Sequence, residues 1–114
     1  MPFLKIQTNQ SLQDTQQQQL LSDASQLVAS ELGKPENYVM VAIEPPIAMS
    51  FAGSTEPTAY LELKSIGLPE NKTKDLSNAL CSLVEKATNI NKDRVYIEFA
   101  DAPRAMWGWN GGTF

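Results

Sequence analysis

The stretch Pro57-Thr58-Ala59-Tyr60-Leu61-Glu62-Leu63-Lys64-Ser65-Ile66-Gly67 indicates how this chain folds. Residues 58–66 are rich in types that favour strands, and Gly67 closes the run, so we predict a strand there. Its beginning parallels the start of the chain, where Pro2-Phe3-Leu4-Lys5-Ile6 matches Pro57-Thr58-Ala59-Tyr60-Leu61. A second parallel joins Glu36-Asn37-Tyr38-Val39-Met40-Val41 to Asp93-Arg94-Val95-Tyr96-Ile97-Glu98. The 114-residue chain therefore contains an internal repeat of about half its length.

Each half of the repeat is predicted to run strand, helix, strand. In both helices, apolar residues recur at helical spacing on one face. Asp14 and Gln17 predict a capping box at the start of the first helix, and Gly33 followed by Pro35 predicts its end. The predicted strands are 3–8, 38–43, 58–66 and 95–99, and the predicted helices are 11–33 and 71–88.

The connections between the strands set the expected architecture. Right-handed crossovers place both helices on the same face of one sheet. We therefore predict an α+β fold of duplicated β-α-β units, with a four-stranded mixed sheet and a single domain over residues 1–114. Residues 38–43 and 58–66 also supply apolar side chains to the opposite face, which no third layer covers. Another copy of the chain is the simplest cover, so we expect an obligate oligomer.

Composition excludes several classes of function. A net charge of −4 disfavours binding to nucleic acid or to an anionic membrane surface. The chain has no histidine and one cysteine, Cys81, so neither a metal site nor a disulfide is expected. Cys81 lies in an apolar helical stretch and is expected to be a buried thiol. The N-terminal residues lack signal-peptide features, so we expect a cytoplasmic protein. Release of the protein from the cell by a route that needs no signal peptide stays open.

Pro2 is the residue with the most chemical potential. Removal of Met1 would leave its nitrogen as a free secondary amine, whereas other prolines have no N–H and no basicity. A terminal amine has a pKa of about 7.7 to 8.0, which burial or a nearby cation lowers. Such an amine can act as a general base at neutral pH, a role for which the chain offers no histidine. The alternative is a proline that simply begins a strand.

In order and spacing, the sequence resembles the macrophage migration inhibitory factor family of the tautomerase superfamily over nearly its whole length. The matching pieces are Met1-Pro2, Thr8-Asn9, Gly33-Lys34-Pro35, Ser54-Thr55-Glu56-Pro57, Ser65-Ile66-Gly67, Asp93-Arg94-Val95-Tyr96-Ile97, Gly108-Trp109-Asn110 and Thr113-Phe114. The resemblance implies a homotrimer with active sites between neighbouring subunits. It implies a cofactor-independent keto–enol tautomerase that acts on phenylpyruvate-like enols, and on dopachrome-type compounds as a second class.

The resemblance also implies roles for individual residues. Pro2 would be the catalytic base, Lys34 would bind the carboxylate of an α-keto acid, and the backbone N–H of Ile66 would contact substrate oxygens. Tyr96 and Glu98 of the adjacent subunit are also expected to line the pocket. The other lining residues expected from the same subunit are Tyr38, Trp107, Trp109 and Phe114. Taken without the resemblance, Lys34 could instead complement the end of a helix, and the aromatic residues could belong to the core.

Some positions depart from the best-known vertebrate members of the family. Their redox Cys-x-x-Cys falls at residues 58–61, and their pocket asparagine falls at Glu98. Trp107 replaces a small aliphatic residue at the pocket rim. Their two receptor-contact residues fall at Leu12 and Pro46, so receptor binding through that surface is not expected. A signalling or host-interaction ligand with vestigial catalysis remains the alternative function, and a trimeric small-molecule binder without turnover is a third.

Overall fold

The structure, a computed structural model, describes residues 1–114. Two helices and four main strands alternate along the chain, and a small hairpin follows them. The elements are β1 Phe3–Thr8, α1 Asp14–Leu32, β2 Met40–Ile43, β3 Ala59–Ile66, α2 Thr73–Thr88, β4 Val95–Ala102, β5 Gly108–Trp109 and β6 Gly112–Thr113. Short 3-10 turns occupy Glu36–Tyr38, Glu70–Lys72, Lys92–Arg94 and Arg104–Met106.

The four main strands form one mixed sheet in the order β2-β1-β3-β4. Within each half the two strands run parallel, as for β1 with β2 and for β3 with β4. The halves meet where β1 and β3 pair antiparallel, with Leu4 opposite Leu63 and Ile6 opposite Leu61. This arrangement confirms the predicted α+β fold with a four-stranded mixed sheet and two helices.

The hydrophobic core lies between the helices and one face of the sheet. Successive side chains of a strand point to opposite faces, so every second residue of β1 and β3 faces the helices. Leu61 and Leu63 at the centre of β3 are fully buried there. The helices contribute the buried residues Leu20, Ala24, Val28, Leu76, Leu80, Cys81 and Val84. Cys81 is buried, as predicted.

The opposite face of the sheet is less apolar than the sequence analysis assumed. Because Ala59, Leu61 and Leu63 face the helices, β3 presents Tyr60, Glu62 and Lys64 to the open side. The Glu62 carboxylate lies 3.4 Å from the Lys5 ammonium and 3.6 Å from that of Lys64. The Tyr60 hydroxyl donates a hydrogen bond of 3.2 Å to the same carboxylate. The expectation of apolar side chains on this face therefore holds only in part, because aromatic and small side chains share it with Lys5, Glu62 and Lys64.

Several element boundaries differ from the prediction, which had the first helix at 11–33 and the third strand at 58–66. The strand predicted over 38–43 begins at Met40, because Glu36–Tyr38 forms a 3-10 turn. The helix predicted from residue 71 begins at Thr73, again after a 3-10 turn. Strand β4 continues to Ala102, since its whole length pairs with β3.

The start of α1 also differs from the prediction, which had paired Asp14 with Gln17. The backbone N–H of Gln13 donates to the side-chain oxygen of Gln16 at 2.9 Å, so the cap lies one residue earlier. Helix α1 ends where the sequence predicts, because Gly33 adopts the left-handed conformation at φ 62°.

The tail after β4 folds back as a hairpin whose turn contains Asn110 and Gly111, both at positive φ. Positive φ at both central positions suits the tight turns that join antiparallel strands. The backbone N–H of Phe114 donates to the carbonyl of Trp107 at 3.3 Å, which ties the chain end to the start of the hairpin. The hairpin thereby holds Trp109 and Phe114 beside Tyr38.

Candidate active site

A cavity of about 340 Å³ lies at the N-terminal end of β1. Most of its walls are apolar, with eight hydrophobic residues among eleven. Three segments form it: the N-terminus, the 3-10 turn that leads into β2, and the C-terminal hairpin. The lining residues are Met1, Pro2, Phe3, Asn37, Tyr38, Val39, Met40, Trp107, Gly108, Trp109 and Phe114.

Pro2 is held in the sheet at the edge of this cavity. It is buried, and its carbonyl accepts a hydrogen bond of 3.0 Å from the backbone N–H of Met40. This bond continues the parallel pairing of β1 with β2, in which Phe3 lies opposite Met40. The start of the chain is therefore fixed by the sheet, and both Met1 and Pro2 line the cavity.

The N-terminal amine is electrostatically perturbed. Partial burial lowers the pKa of the Met1 amine below its ordinary value, and the positive charge of Lys34 lowers it further. Both effects favour the neutral amine, because the charged form loses hydration and faces another cation. The environment around the chain terminus thus favours the neutral amine more than water does.

Lys34 is positioned by the end of α1. Left-handed Gly33 turns the chain so that the Lys34 backbone N–H donates to the carbonyl of Ala29 at 3.0 Å. Its side chain donates from Nζ to the carbonyl of Ile66 at 3.0 Å. The ammonium therefore forms its hydrogen bond at the end of β3 and lies within electrostatic reach of the N-terminal amine.

Three aromatic rings form one wall of the cavity. Trp109 and Phe114 are stacked, with centroids 5.5 Å apart and an interplanar angle of 16°. The Tyr38 ring meets both edge-on, at 5.7 Å from Trp109 and 5.8 Å from Phe114. Such geometry is favourable for aromatic pairs, and a flat apolar ligand would find complementary surfaces there. Trp109 is 55% exposed, so this cluster is not part of the central core.

The predicted site residues fall into three groups. Pro2, Tyr38, Trp107, Trp109 and Phe114 line the cavity. Lys34 and Ile66 do not line it, but they contact each other near the N-terminus, and Ile66 does so through its carbonyl. The predicted donor role of the Ile66 N–H stays a prediction.

Tyr96 and Glu98 form the third group, and the cavity of the same protomer does not include them. Both are exposed on β4. Their register opposite Tyr60 and Glu62 places them on the open side of the sheet. Within one protomer these two residues therefore cannot join Pro2, and their predicted role requires a neighbouring subunit.

Sequence reasoning missed several lining residues, of which Met40 is the most informative. Its side chain is 65% exposed although it begins a strand of the main sheet. Alternation along β2 places it on the opposite face from Val41, which packs against the core. The alternation of side chains along a strand could have identified Met40 as a residue of the open face. No such pattern in the sequence identifies Asn37 or Gly108.

Two further observations concern the whole chain. No group of three or more His, Cys, Asp and Glu side chains comes together in the structure. Neither helix combines the length and apolar character that crossing a membrane requires.

Comparison with known proteins identifies the family. The model of the macrophage migration inhibitory factor family matches residues 1–114. The chain is 43% identical over 117 residues to macrophage migration inhibitory factor of Xenopus tropicalis, which covers all of this chain and 99% of the relative. It is 39% identical to the Brugia malayi homologue over 115 residues, covering all of this chain and 99% of the other.

Solved structures agree with this assignment. The crystal structure of the homologue from Prochlorococcus marinus superposes with a TM-score of 0.93 at 42% identity, covering 98% of each chain. The sequence identity and the superposition therefore indicate the same relationship. The chain belongs to the macrophage migration inhibitory factor family.

Proposed function

We propose that the protein is a cofactor-independent keto–enol tautomerase in which Pro2, after removal of Met1, is the catalytic acid and base. The observation that carries the proposal is the position of the chain terminus. It combines an apolar cavity with an amine whose pKa is lowered first by burial and then by Lys34. With Met1 removed, the Pro2 nitrogen becomes the terminal amine close to the same cavity and the same lysine.

The proposed reaction moves one proton. The neutral Pro2 amine takes the proton of the enol hydroxyl while the oxygen–carbon bond becomes a carbonyl. The resulting ammonium returns a proton to the neighbouring carbon, which completes the keto product and restores the amine. A base with a pKa near the working pH serves both steps, since it is readily charged and discharged.

Lys34 suits recognition of the acid end of such a substrate. An ammonium has three N–H donors, and one of them is engaged by the Ile66 carbonyl. The others remain for a carboxylate, with which a charge-assisted hydrogen bond is stronger than a neutral one. The wall of Tyr38, Trp109 and Phe114 suits a phenyl ring at the other end. We therefore propose phenylpyruvate-like enols as the substrate class, with dopachrome-type compounds as a second.

We further propose that the active unit is a homotrimer, in which Tyr96 and Glu98 of an adjacent subunit complete each pocket. Tyr96 is 64% exposed on the protomer, which is unusual for a large aromatic side chain on a sheet. The family relationship supports this assembly, and a cover over the open sheet face would bury both residues.

The test compares the protein with Pro2→Gly and with a variant that has one alanine inserted between Met1 and Pro2. The insertion keeps proline but turns its nitrogen into an amide, which has no basicity. Intact mass establishes the terminus of each protein, and phenylpyruvate ketonisation is followed across pH. We expect loss of Met1 in the natural sequence and loss of turnover in both variants.

Turnover equal to the natural protein in the insertion variant would overturn the role of Pro2. Loss of turnover with retained partner binding in Pro2→Gly would favour the alternative function as a signalling or host-interaction ligand. The insertion is the sharper variant, because it leaves every side chain of the pocket unchanged.

A further inference from the structure

Arg94 makes an unusual number of contacts with one loop. Its Nε donates to the carbonyl of Pro57 at 2.8 Å, and Nη1 donates to that of Phe51 at 3.2 Å. Its Nη2 donates to the carbonyls of Ser54 and Glu56, both at 3.1 Å. One guanidinium thus gathers four carbonyls of the segment that connects β2 to β3. The planar fork of arginine is suited to this task, whereas the ammonium of lysine is not.

The same side chain also fixes an aromatic ring. The Arg94 guanidinium carbon lies 5.3 Å from the centre of the Phe51 ring, within the range of a cation–π contact. The backbone of Phe51 is held by two hydrogen bonds with Ser54 across a tight turn. Arg94 therefore restrains both the backbone and the ring of Phe51.

Phe51 in turn contacts Tyr96. Their ring centroids are 4.7 Å apart at an interplanar angle of 65°, an edge-on arrangement. Tyr96 has no other aromatic partner in the protomer, and 64% of it is exposed. A ring exposed to this extent has rotamer freedom unless a neighbour restricts it. The contact with Phe51 is therefore positioned to select one orientation of the Tyr96 ring.

We propose that Arg94 is a positioning residue, which sets the orientation of Tyr96 through Phe51 so that the phenol can enter the pocket of the adjacent subunit. This inference rests on the proposed function, because it assumes that Tyr96 contacts substrate there. Arg94 itself does not touch substrate. Its effect reaches the pocket through a chain of three side chains from one protomer.

A matched control exists in Asn9, which also forms hydrogen bonds with this loop. Its Nδ2 donates to the carbonyls of Thr55 and Glu56, at 3.1 and 3.2 Å. Its Oδ1 accepts the backbone N–H of Thr58 at 3.0 Å. Asn9 makes no hydrogen bond with Phe51, so its removal loosens the loop without releasing that ring. A merely structural role for Arg94 would make Asn9→Ala and Arg94→Lys alike.

The experiment compares Arg94→Lys, Phe51→Leu and Asn9→Ala by steady-state kinetics and by 19F NMR of protein labelled with 3-fluorotyrosine. Tyr96→Phe assigns the Tyr96 resonance. We expect Arg94→Lys and Phe51→Leu to move that resonance and to raise KM for phenylpyruvate by about threefold to tenfold, with kcat changed by less than about twofold. Asn9→Ala should leave both quantities close to those of the natural protein.

The inference is overturned if Arg94→Lys leaves the Tyr96 resonance unmoved, or if Asn9→Ala moves it equally. Phe51→Leu retains all the backbone carbonyls that Arg94 binds, so it tests the contact between Phe51 and Tyr96 separately, even if Arg94→Lys does not fold. An unchanged resonance in Phe51→Leu also overturns the inference. The resonance is measured without substrate, so an inactive natural protein would refute the proposed function and leave this test intact.

Discussion

The Lys34 ammonium nitrogen lies 3.0 Å from the carbonyl oxygen of Ile66, and its charge lowers the pKa of the N-terminal amine. One side chain therefore links the end of α1, the end of β3 and the start of β1. These three ends of secondary-structure elements are far apart in sequence, and the order of strands in the sheet brings them close together.

Lys34→Gln should weaken activity in two separable ways. Without the cation the pKa of the terminal amine rises, so the free base forms only at higher pH. The acid limb of the pH profile of kcat/KM therefore shifts to higher pH. KM for a carboxylate substrate should rise about tenfold to a hundredfold, because a charge-assisted hydrogen bond is lost. Lys86→Gln, an exposed change of the same charge on α2, is the control. An acid limb at the same pH in Lys34→Gln and Lys86→Gln would contradict the electrostatic role.

Glu98→Asn should change substrate preference. A carboxylate accepts hydrogen bonds but does not donate them when ionised, whereas an amide does both. We therefore expect the natural protein to be less active on para-hydroxylated phenylpyruvate than on phenylpyruvate itself, and Glu98→Asn to favour the hydroxylated compound. The ratio of the two kcat/KM values is the measurement. A ratio that stays the same in the variant would show that Glu98 does not contact the substrate hydroxyl.

Glu62→Gln should lower stability at neutral pH by at most about 1 kcal/mol, because the Lys5 and Lys64 ammonium groups lose the negative charge that they share while the amide oxygen can still accept from Tyr60. Burial opposes ionisation of Glu62, but Lys5, Lys64 and the Tyr60 hydroxyl together lower its pKa below the ordinary value of 4.5. A carboxyl with a lowered folded-state pKa stabilises the fold above about pH 4.5, and that contribution is lost as pH falls through the folded-state pKa.

Denaturant unfolding at pH 7 and near pH 3 tests this expectation. The difference between the natural protein and Glu62→Gln should shrink at the lower pH. Glu70→Gln, at an exposed position outside any ion pair, should behave as the natural protein. An equal loss of stability in Glu62→Gln at both pH values would contradict the ionised network.

The proposed trimer should have three times the protomer mass of 12.6 kDa in sedimentation and light-scattering measurements. Ala100 lies on the open face of β4, two residues beyond Glu98, where a small side chain permits close approach of a neighbour. Ala100→Arg should therefore reduce the mass to that of a smaller species, while Gln18→Arg on exposed α1 should not. A trimer that survives Ala100→Arg, or a natural protein that sediments as a protomer, would refute assembly through this face.

The sequence predicted the helices and the β-α-β order well, because apolar spacing and the Gly33 stop are local signals. It misjudged the open face for a specific reason. Residues 58–66 were taken as a range to supply apolar side chains to the open face, although strand parity directs Leu61 and Leu63 to the helices. The 3-10 turn at Glu36–Tyr38 was missed because three residues are too few to show a period.

The candidate site was predictable in part. Met1-Pro2 and the aromatic tail were recognised through the family resemblance, and the cavity includes Pro2, Trp107 and Phe114. The contact of Lys34 with Ile66 joins residues 32 positions apart, and no pattern along the chain encodes such a distance. The use of Phe51 and Arg94 to hold Tyr96 was invisible for the same reason, since it depends on how a loop folds back.

The order of strands has a consequence for solubility. With β2 and β4 at the outside of the sheet, each has one row of backbone donors and acceptors that no strand of the protomer satisfies. Such rows are templates for cross-pairing between molecules, which leads to aggregation. Strand β2 limits the hazard by its length of four residues, but β4 extends over eight. An isolated protomer would therefore be prone to precipitate, and the proposed trimer would protect the protein from aggregation in addition to its proposed role in the pocket.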